Sequence, residues 1–209
     1  MISQSDMIED QLKARGIHDP AVLQAMQDVD RTLFIHANLL HRAYEDGPLP
    51  IGKSQTISQP FIVAYMAQVL ELNADAKVLE IGTGCGYNAA VLAQISTHVY
   101  SIEIIESLHL LAKKNLAAAG VYNVHTRLGD GIDGWPDAAP FDAIVLTAAP
   151  YKIPESLKLQ LKVKGILLAP KGRNAQKLVL TKRQSENEFI TSTLMPVCFV
   201  PMTGKAKDL

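Results

Sequence analysis

The chain has 209 residues, 48% of them hydrophobic and 20% charged, with 20 Lys and Arg against 21 Asp and Glu for a formal net charge of -1. This length suits a single α/β domain, residues 1–209, and is short for two independent cores. Near-neutral charge with scattered cations argues against a nucleic-acid binder held by phosphate neutralisation. No stretch approaches the roughly 20 apolar residues of a membrane span, and two cysteines are too few for a disulfide framework.

Residues 1–15 contain Asp6, Glu9 and Asp10 and no apolar run, which does not read as a signal peptide, so a cytoplasmic location is expected. Apolar residues at 7, 8 and 12 predict an amphipathic helix from Ser5 to Arg15, stopped by Gly16. Asp19-Pro20 supplies an N-cap and a first-turn proline for a second helix reaching about Val29. His36 and His41 lie five apart with no Cys or carboxylate cluster beside them, so no metal site is assigned. Residues 46–58 hold Pro48, Pro50, Gly47 and Gly52 and read as an irregular functional loop. Ser58 stands where an N-cap belongs for the helix that follows, residues 59–72. The first 60 residues are thus expected to form a helical extension and a loop, and residues 61–209 the α/β core.

That core opens with a short apolar strand, Val78 to Ile81, which runs into Gly82-Thr83-Gly84-Cys85-Gly86 and then a helix from about Asn88. Glycines at 82, 84 and 86 let the backbone turn sharply and approach a bound molecule, while the helix N-terminus offers amides with partial positive charge. Tyr87 occupies the position of the third glycine in a dinucleotide fingerprint, which disfavours a nicotinamide dehydrogenase. Cys85 reads better as a small buried filler than as a reactive thiol. The second strand ends at Glu103, 17 residues beyond Gly86, where an acid can accept hydrogen bonds from both hydroxyls of a ribose.

Strands and helices then alternate: a helix over 106–119, strands over 123–128, 141–147 and 165–170, and a final pair over 177–182 and 188–194. The pattern predicts a doubly wound, mostly parallel, seven-stranded sheet with an N-terminal helical extension, its closing pair open to an antiparallel arrangement. The glycine turn, Glu103, Gly129-Asp130-Gly131 and Thr147 to Pro150 all fall at strand carboxyl ends and converge on one crevice. Asp130 is placed either to bond an adenine amino group or to support its own turn.

Glu80 to Gly86 matches the E/D-x-G-x-G-x-G motif of class I S-adenosylmethionine-dependent methyltransferases. Asp46-x-Pro-Leu-Pro-Ile-Gly-x-x-Gln-Thr-Ile-Ser58-x-Pro60, Gly129-Asp-Gly131, Phe141-Asp-Ala-Ile144, Thr147-Ala-Ala-Pro150 and Phe199-Val-Pro201 extend the likeness along nearly the whole chain, which resembles the protein-L-isoaspartate O-methyltransferase family. That resemblance implies methyl transfer from S-adenosylmethionine to the free carboxylate of L-isoaspartyl residues in damaged proteins. The ester then closes to a succinimide that reopens in part to normal aspartate. It implies Ser58 and Thr56 as catalytic residues. It implies a cofactor site of Gln55, Thr56, Ile57, Ser58, Glu80, Gly82, Thr83, Gly84, Gly86, Glu103, Asp130, Gly131 and Thr203. Its expected partners are isoaspartyl proteins and peptides, with no nucleic acid and no membrane, and the expected state is a monomer. The chain departs from the family pattern at Val63, where some members carry histidine, at Pro170-Lys-Gly172, and in a short tail after Thr203.

Overall fold

A computed structural model of the chain describes residues 1–208. The first helical stretch begins as α1 (Gln4–Asp6), where the Ser3 hydroxyl accepts from the Asp6 amide and the Asp6 carboxylate from the Ser3 amide. It then widens into a π-helical turn, Met7–Leu12, before tightening into a 3₁₀ turn, Lys13–Arg15. A regular α-helix was the sequence expectation. Met7 and Leu12 are five residues apart, a spacing that a π-turn brings into line, and both are fully buried. Gly16 ends the stretch at φ 90°. The second helix, α2 (Pro20–Asp28), is capped as expected by Asp19, whose carboxylate accepts from the Ala21 and Val22 amides.

Residues 46–58 are less irregular than their composition suggests. β1 (Leu49–Gly52) and β2 (Gln55–Ile57) form an antiparallel hairpin with Leu49 opposite Ile57. Lys53 and Ser54 take φ of 53° and 57° at its tip. Two consecutive left-handed residues match the twist of a hairpin, but Asn-Gly or Asp-Gly is the pair that announces it. The hairpin is held down by Leu49, Ile51 and Ile57, each at most 4% exposed.

There follow α3 (Pro60–Val69), β3 (Lys77–Ile81), α4 (Tyr87–Ile95), β4 (His98–Glu103), α5 (Glu106–Ala118), β5 (Val124–Leu128), β6 (Phe141–Leu146), α6 (Glu155–Leu159), β7 (Leu161–Lys171), β8 (Gln176–Arg183) and β9 (Phe189–Val197). Strands β3 to β9 make a seven-stranded sheet in the order β5-β4-β3-β6-β7-β8-β9. All neighbours are parallel except β8, which is antiparallel to both β7 and β9. The chain leaves β3 toward β4 and returns on the other side through β6, so the order switches between β3 and β6. Ligand crevices open at the carboxyl ends of strands at such a switch.

Alternation along the strands divides the core. Val78 faces one side, with α2, α3, α4 and the N-terminal stretch over it; Leu79 and Ile81 face the other, against Leu157, Met202 and Ala206. The N-terminal segment is locked to the glycine turn through Tyr87. The Phe34 ring meets the Tyr87 ring edge-on at 5.5 Å, and the buried Arg31 guanidinium lies 4.9 Å from that ring's centre. A desolvated contact of this kind contributes roughly 2 kcal/mol. Among the described residues no helix is long and apolar enough to cross a membrane.

Candidate active site

The crevice at the switch point begins with the glycine turn. The Gly82 amide donates to Ile102 O (2.8 Å) and the Thr147 amide to Ile81 O (3.0 Å), so the three strand ends are tied together. Gly82 sits at φ 101°, and a Cβ there would overlap the Thr147 hydroxyl. That hydroxyl donates to Gly82 O at 2.5 Å, which leaves no room for a side chain. Gly86 serves differently. It is the N-cap of α4, and its bare Cα packs on Ala112 and Leu116 of α5 rather than facing the crevice.

Glu103 is 5% exposed at the end of β4. One carboxylate oxygen accepts from the Gly84 amide (2.8 Å) and the other from the Ile105 amide (2.9 Å). It lines the crevice with Ile104, Ile105 and Leu108. Asp130 accepts from the Ile132 amide (3.1 Å) and from the Lys205 amide (2.9 Å). It therefore supports its own turn, and it also pins the C-terminal segment. That segment crosses the crevice: Pro201 bridges Ala149, the Met202 amide donates to Ala149 O (2.9 Å), and Val200, Met202 and Thr203 join the lining.

Gln55, Thr56, Ile57, Ser58, Gly82, Thr83, Gly84, Glu103, Asp130, Gly131 and Thr203 are all brought to this one crevice. Glu80 and Gly86 are not. Glu80 shares the parity of Val78 and points beneath the glycine turn, fully buried. Its carboxylate accepts from the Ser101 hydroxyl and from Asn88 Nδ2 (2.8 Å), while Ser101 meets the Thr83 hydroxyl at 2.6 Å. Burial pushes its pKa up to about 7, against the pull of the Ser101 and Asn88 hydrogen bonds and with help from the nearby Glu103 charge. Its part is to brace the turn through Asn88 and Thr83, both of which line the crevice. Cys85 is 3% exposed, and burial raises its thiol to about 11, so it is a packed filler. Thr147 lines the crevice from the turn expected to converge there; among residues not foreseen are Asn88 and the apolar pair Ile104-Ile105, although adjacency to the strand-ending acid is a usable signal for the last two.

Ser58 is not a helix cap. Pro60 takes the first helical position, so Gln59 is the N-cap, and it makes no side-chain capping bond. Among the described residues neither the Ser58 nor the Thr56 hydroxyl has a hydrogen-bond partner. Both line the crevice, and both also line a second, adjoining groove of about 480 Å³ between the hairpin and the Met195 to Val200 segment. Thr147 and Val200 are shared in the same way. Two cavities therefore meet at two unengaged hydroxyls.

The chain is also similar to known proteins. Residues 2–207 match the family model described as Protein-L-isoaspartate(D-aspartate) O-methyltransferase. The chain belongs to that family. A protein-L-isoaspartate O-methyltransferase of Opitutus terrae is 50% identical over 199 residues, covering 94% of this chain and 85% of the relative. One from Aliivibrio fischeri is 48% identical over 202 residues, 97% of each chain. Among solved structures, a protein-L-isoaspartate O-methyltransferase superposes with a TM-score of 0.89 at 28% identity, over 98% of this chain and 67% of that one. A Plasmodium falciparum structure solved in complex with S-adenosyl-L-homocysteine gives 0.82 at 25% identity, over 96% and 97%. The seven-stranded sheet with its flanking helices is thus the family's own fold.

Proposed function

We propose that this chain transfers the methyl group of S-adenosylmethionine to the free carboxylate of L-isoaspartyl residues in damaged proteins. The observation that carries this reading is the meeting of the crevice and the groove at Ser58 and Thr56 in a chain of this family. The donor set fits a nucleoside with an amino-acid tail: a strand-ending carboxylate for ribose hydroxyls, flat apolar walls, and backbone amides at the head of α4. Glu103 and the glycine turn would hold the cofactor. Asp130 and Gly131 would lie at its base end, with Thr203 beside them. When bound, S-adenosylmethionine supplies an electrophilic methyl on a sulfonium.

The acceptor needs little activation. A carboxylate is ionised at pH 7 and is already a nucleophile, so no general base is required. What remains is alignment of the acceptor oxygen with the methyl carbon and exclusion of water, worth several kcal/mol in an in-line displacement. Ser58 and Thr56 would orient the acceptor by donating hydrogen bonds. Val63, 2% exposed in the crevice wall, and Ile57, 3% exposed, keep that end apolar. Once esterified, the side chain loses methanol as the following backbone nitrogen attacks the ester carbonyl, and hydrolysis of the resulting succinimide returns a share of normal aspartate.

We further propose that residues 1–60 and 61–209 work as one domain, that the chain acts as a monomer in the cytoplasm, and that it requires neither nucleic acid nor metal. The test is transfer of labelled methyl to two peptides that differ only in an L-isoaspartyl or a normal L-aspartyl linkage. Base-labile label on the isoaspartyl peptide alone is the expected result. Label on neither, with cofactor bound, would overturn the acceptor.

A further inference from the structure

The groove beside Ser58 contains one formally charged side chain among the described residues that line it, Arg15. Its other walls are Pro48, Gln59, Ile62 and the segment from Met195 to Val200, neutral throughout. Arg15 closes the 3₁₀ turn ahead of Gly16, and its guanidinium is held on two sides. One face lies on the Phe61 ring with Cζ 3.5 Å from the ring centre, and Nη1 donates to Asp46 at 2.8 Å. Those contacts fix a planar fork in advance, so little side-chain freedom is left to lose when it meets a ligand. The other N–H groups have no partner among the described residues. The Arg15 side chain is 41% exposed and that of Asp46 37%, so solvent and a ligand can reach the pair.

Arg15 does not line the crevice, whereas Thr56, Ser58, Thr147 and Val200 line both cavities. The reacting carboxylate belongs where the two meet, and Arg15 stands farther along the groove. That placement spares the chemistry, since an arginine gripping the attacking carboxylate would lower its nucleophilicity. Resting on the acceptor reading above, we propose that Arg15 is a specificity-determining residue: it recognises an acidic side chain close in sequence to the isoaspartyl residue, so damaged segments rich in Asp and Glu are preferred. Its planar fork can take a second carboxylate while Asp46 keeps Nη1. The preference is electrostatic and near the surface, so it weakens with salt.

The test uses the full chain and three isoaspartyl peptides of one sequence, carrying Glu, Gln or Lys next to the isoaspartyl residue, with a second set varied on its other side. In low salt the Glu peptide should have a KM about fivefold to tenfold below the Lys peptide in at least one set. The ratio should fall to about two in Arg15→Gln and at 0.5 M NaCl, and should invert in Arg15→Glu. Equal KM for all three peptides in both sets would overturn the inference. So would a KM that rises by one factor for all three in Arg15→Gln, which would make Arg15 a donor to the peptide backbone. Methylation of none of them would instead overturn the acceptor reading, and the role of Arg15 with it.

Discussion

The two cavities that meet at Ser58 are built on opposite terms. Around the glycine turn, away from Ser58, the crevice's polar groups are engaged before any ligand arrives: Glu103 is bonded to Gly84 and Ile105, Asp130 to Ile132 and Lys205, and Thr83 to Ser101 and through it to Glu80. In the groove the Thr56 and Ser58 hydroxyls are unengaged among the described residues, and Arg15 uses one N–H. A cofactor is the same molecule in every turnover, so a site fixed in advance suits it. A damaged protein presents a different neighbourhood each time. Donors left open on a hairpin suit that variety, and the lesson is that preorganisation follows the constancy of the ligand.

The largest effect that would break the contrast comes from Gly82. A Cβ in Gly82→Ala would strike the Thr147 hydroxyl and force a left-handed alanine, at a cost of about 3 kcal/mol. Cofactor affinity by calorimetry and thermal midpoint should fall together, with activity down at least about 100-fold. Next is Glu80, raised in the folded chain from 4.5 to about 7. The folded state holds a proton there that the unfolded chain releases, so stability declines as pH rises from about 4.5 to about 7 and is level above. Full linkage over that window is on the order of 3 kcal/mol. Denaturant titrations across it should show the decline in the native chain and a flat profile at this site in Glu80→Gln.

Ser58→Ala sharpens the contrast from the other side, with kcat on an isoaspartyl peptide expected to drop about 30-fold as the acceptor loses its orienting hydrogen bond. Glu103→Gln should weaken cofactor binding about tenfold, read by calorimetry, because an amide cannot accept from both Gly84 and Ile105 while serving ribose hydroxyls. Its kcat at saturating cofactor should change far less than its affinity.

Much of this was legible from residues alone, for reasons that also mark the limit. Glycines at 82 and 84, Glu103 and the Asp130 turn are read from where strands end, and strand ends carry strong local signals. Glu80 misled because β3 is buried on both faces, so no polar alternation told which side it faced. The hairpin stayed hidden because Lys53 and Ser54, not Asn-Gly, take its left-handed positions. Ser58 looked like a cap until Pro60 moved the helix start by one residue. The tail's crossing depends on main-chain bonds between Ala149 and residues 200–202, which side-chain identity does not encode. Arg15 was invisible for a related reason, since only the folded chain brings residue 15 beside residue 58.

The division of labour is tested most directly in the double variant Thr56→Val, Ser58→Ala, by titrating S-adenosylhomocysteine calorimetrically and measuring kcat on an isoaspartyl peptide with the same preparation. Cofactor affinity within about twofold of the native chain, with kcat reduced more than about 100-fold, is the predicted result. A large loss of affinity, with turnover per bound cofactor intact, would place both hydroxyls in the cofactor site and contradict the account.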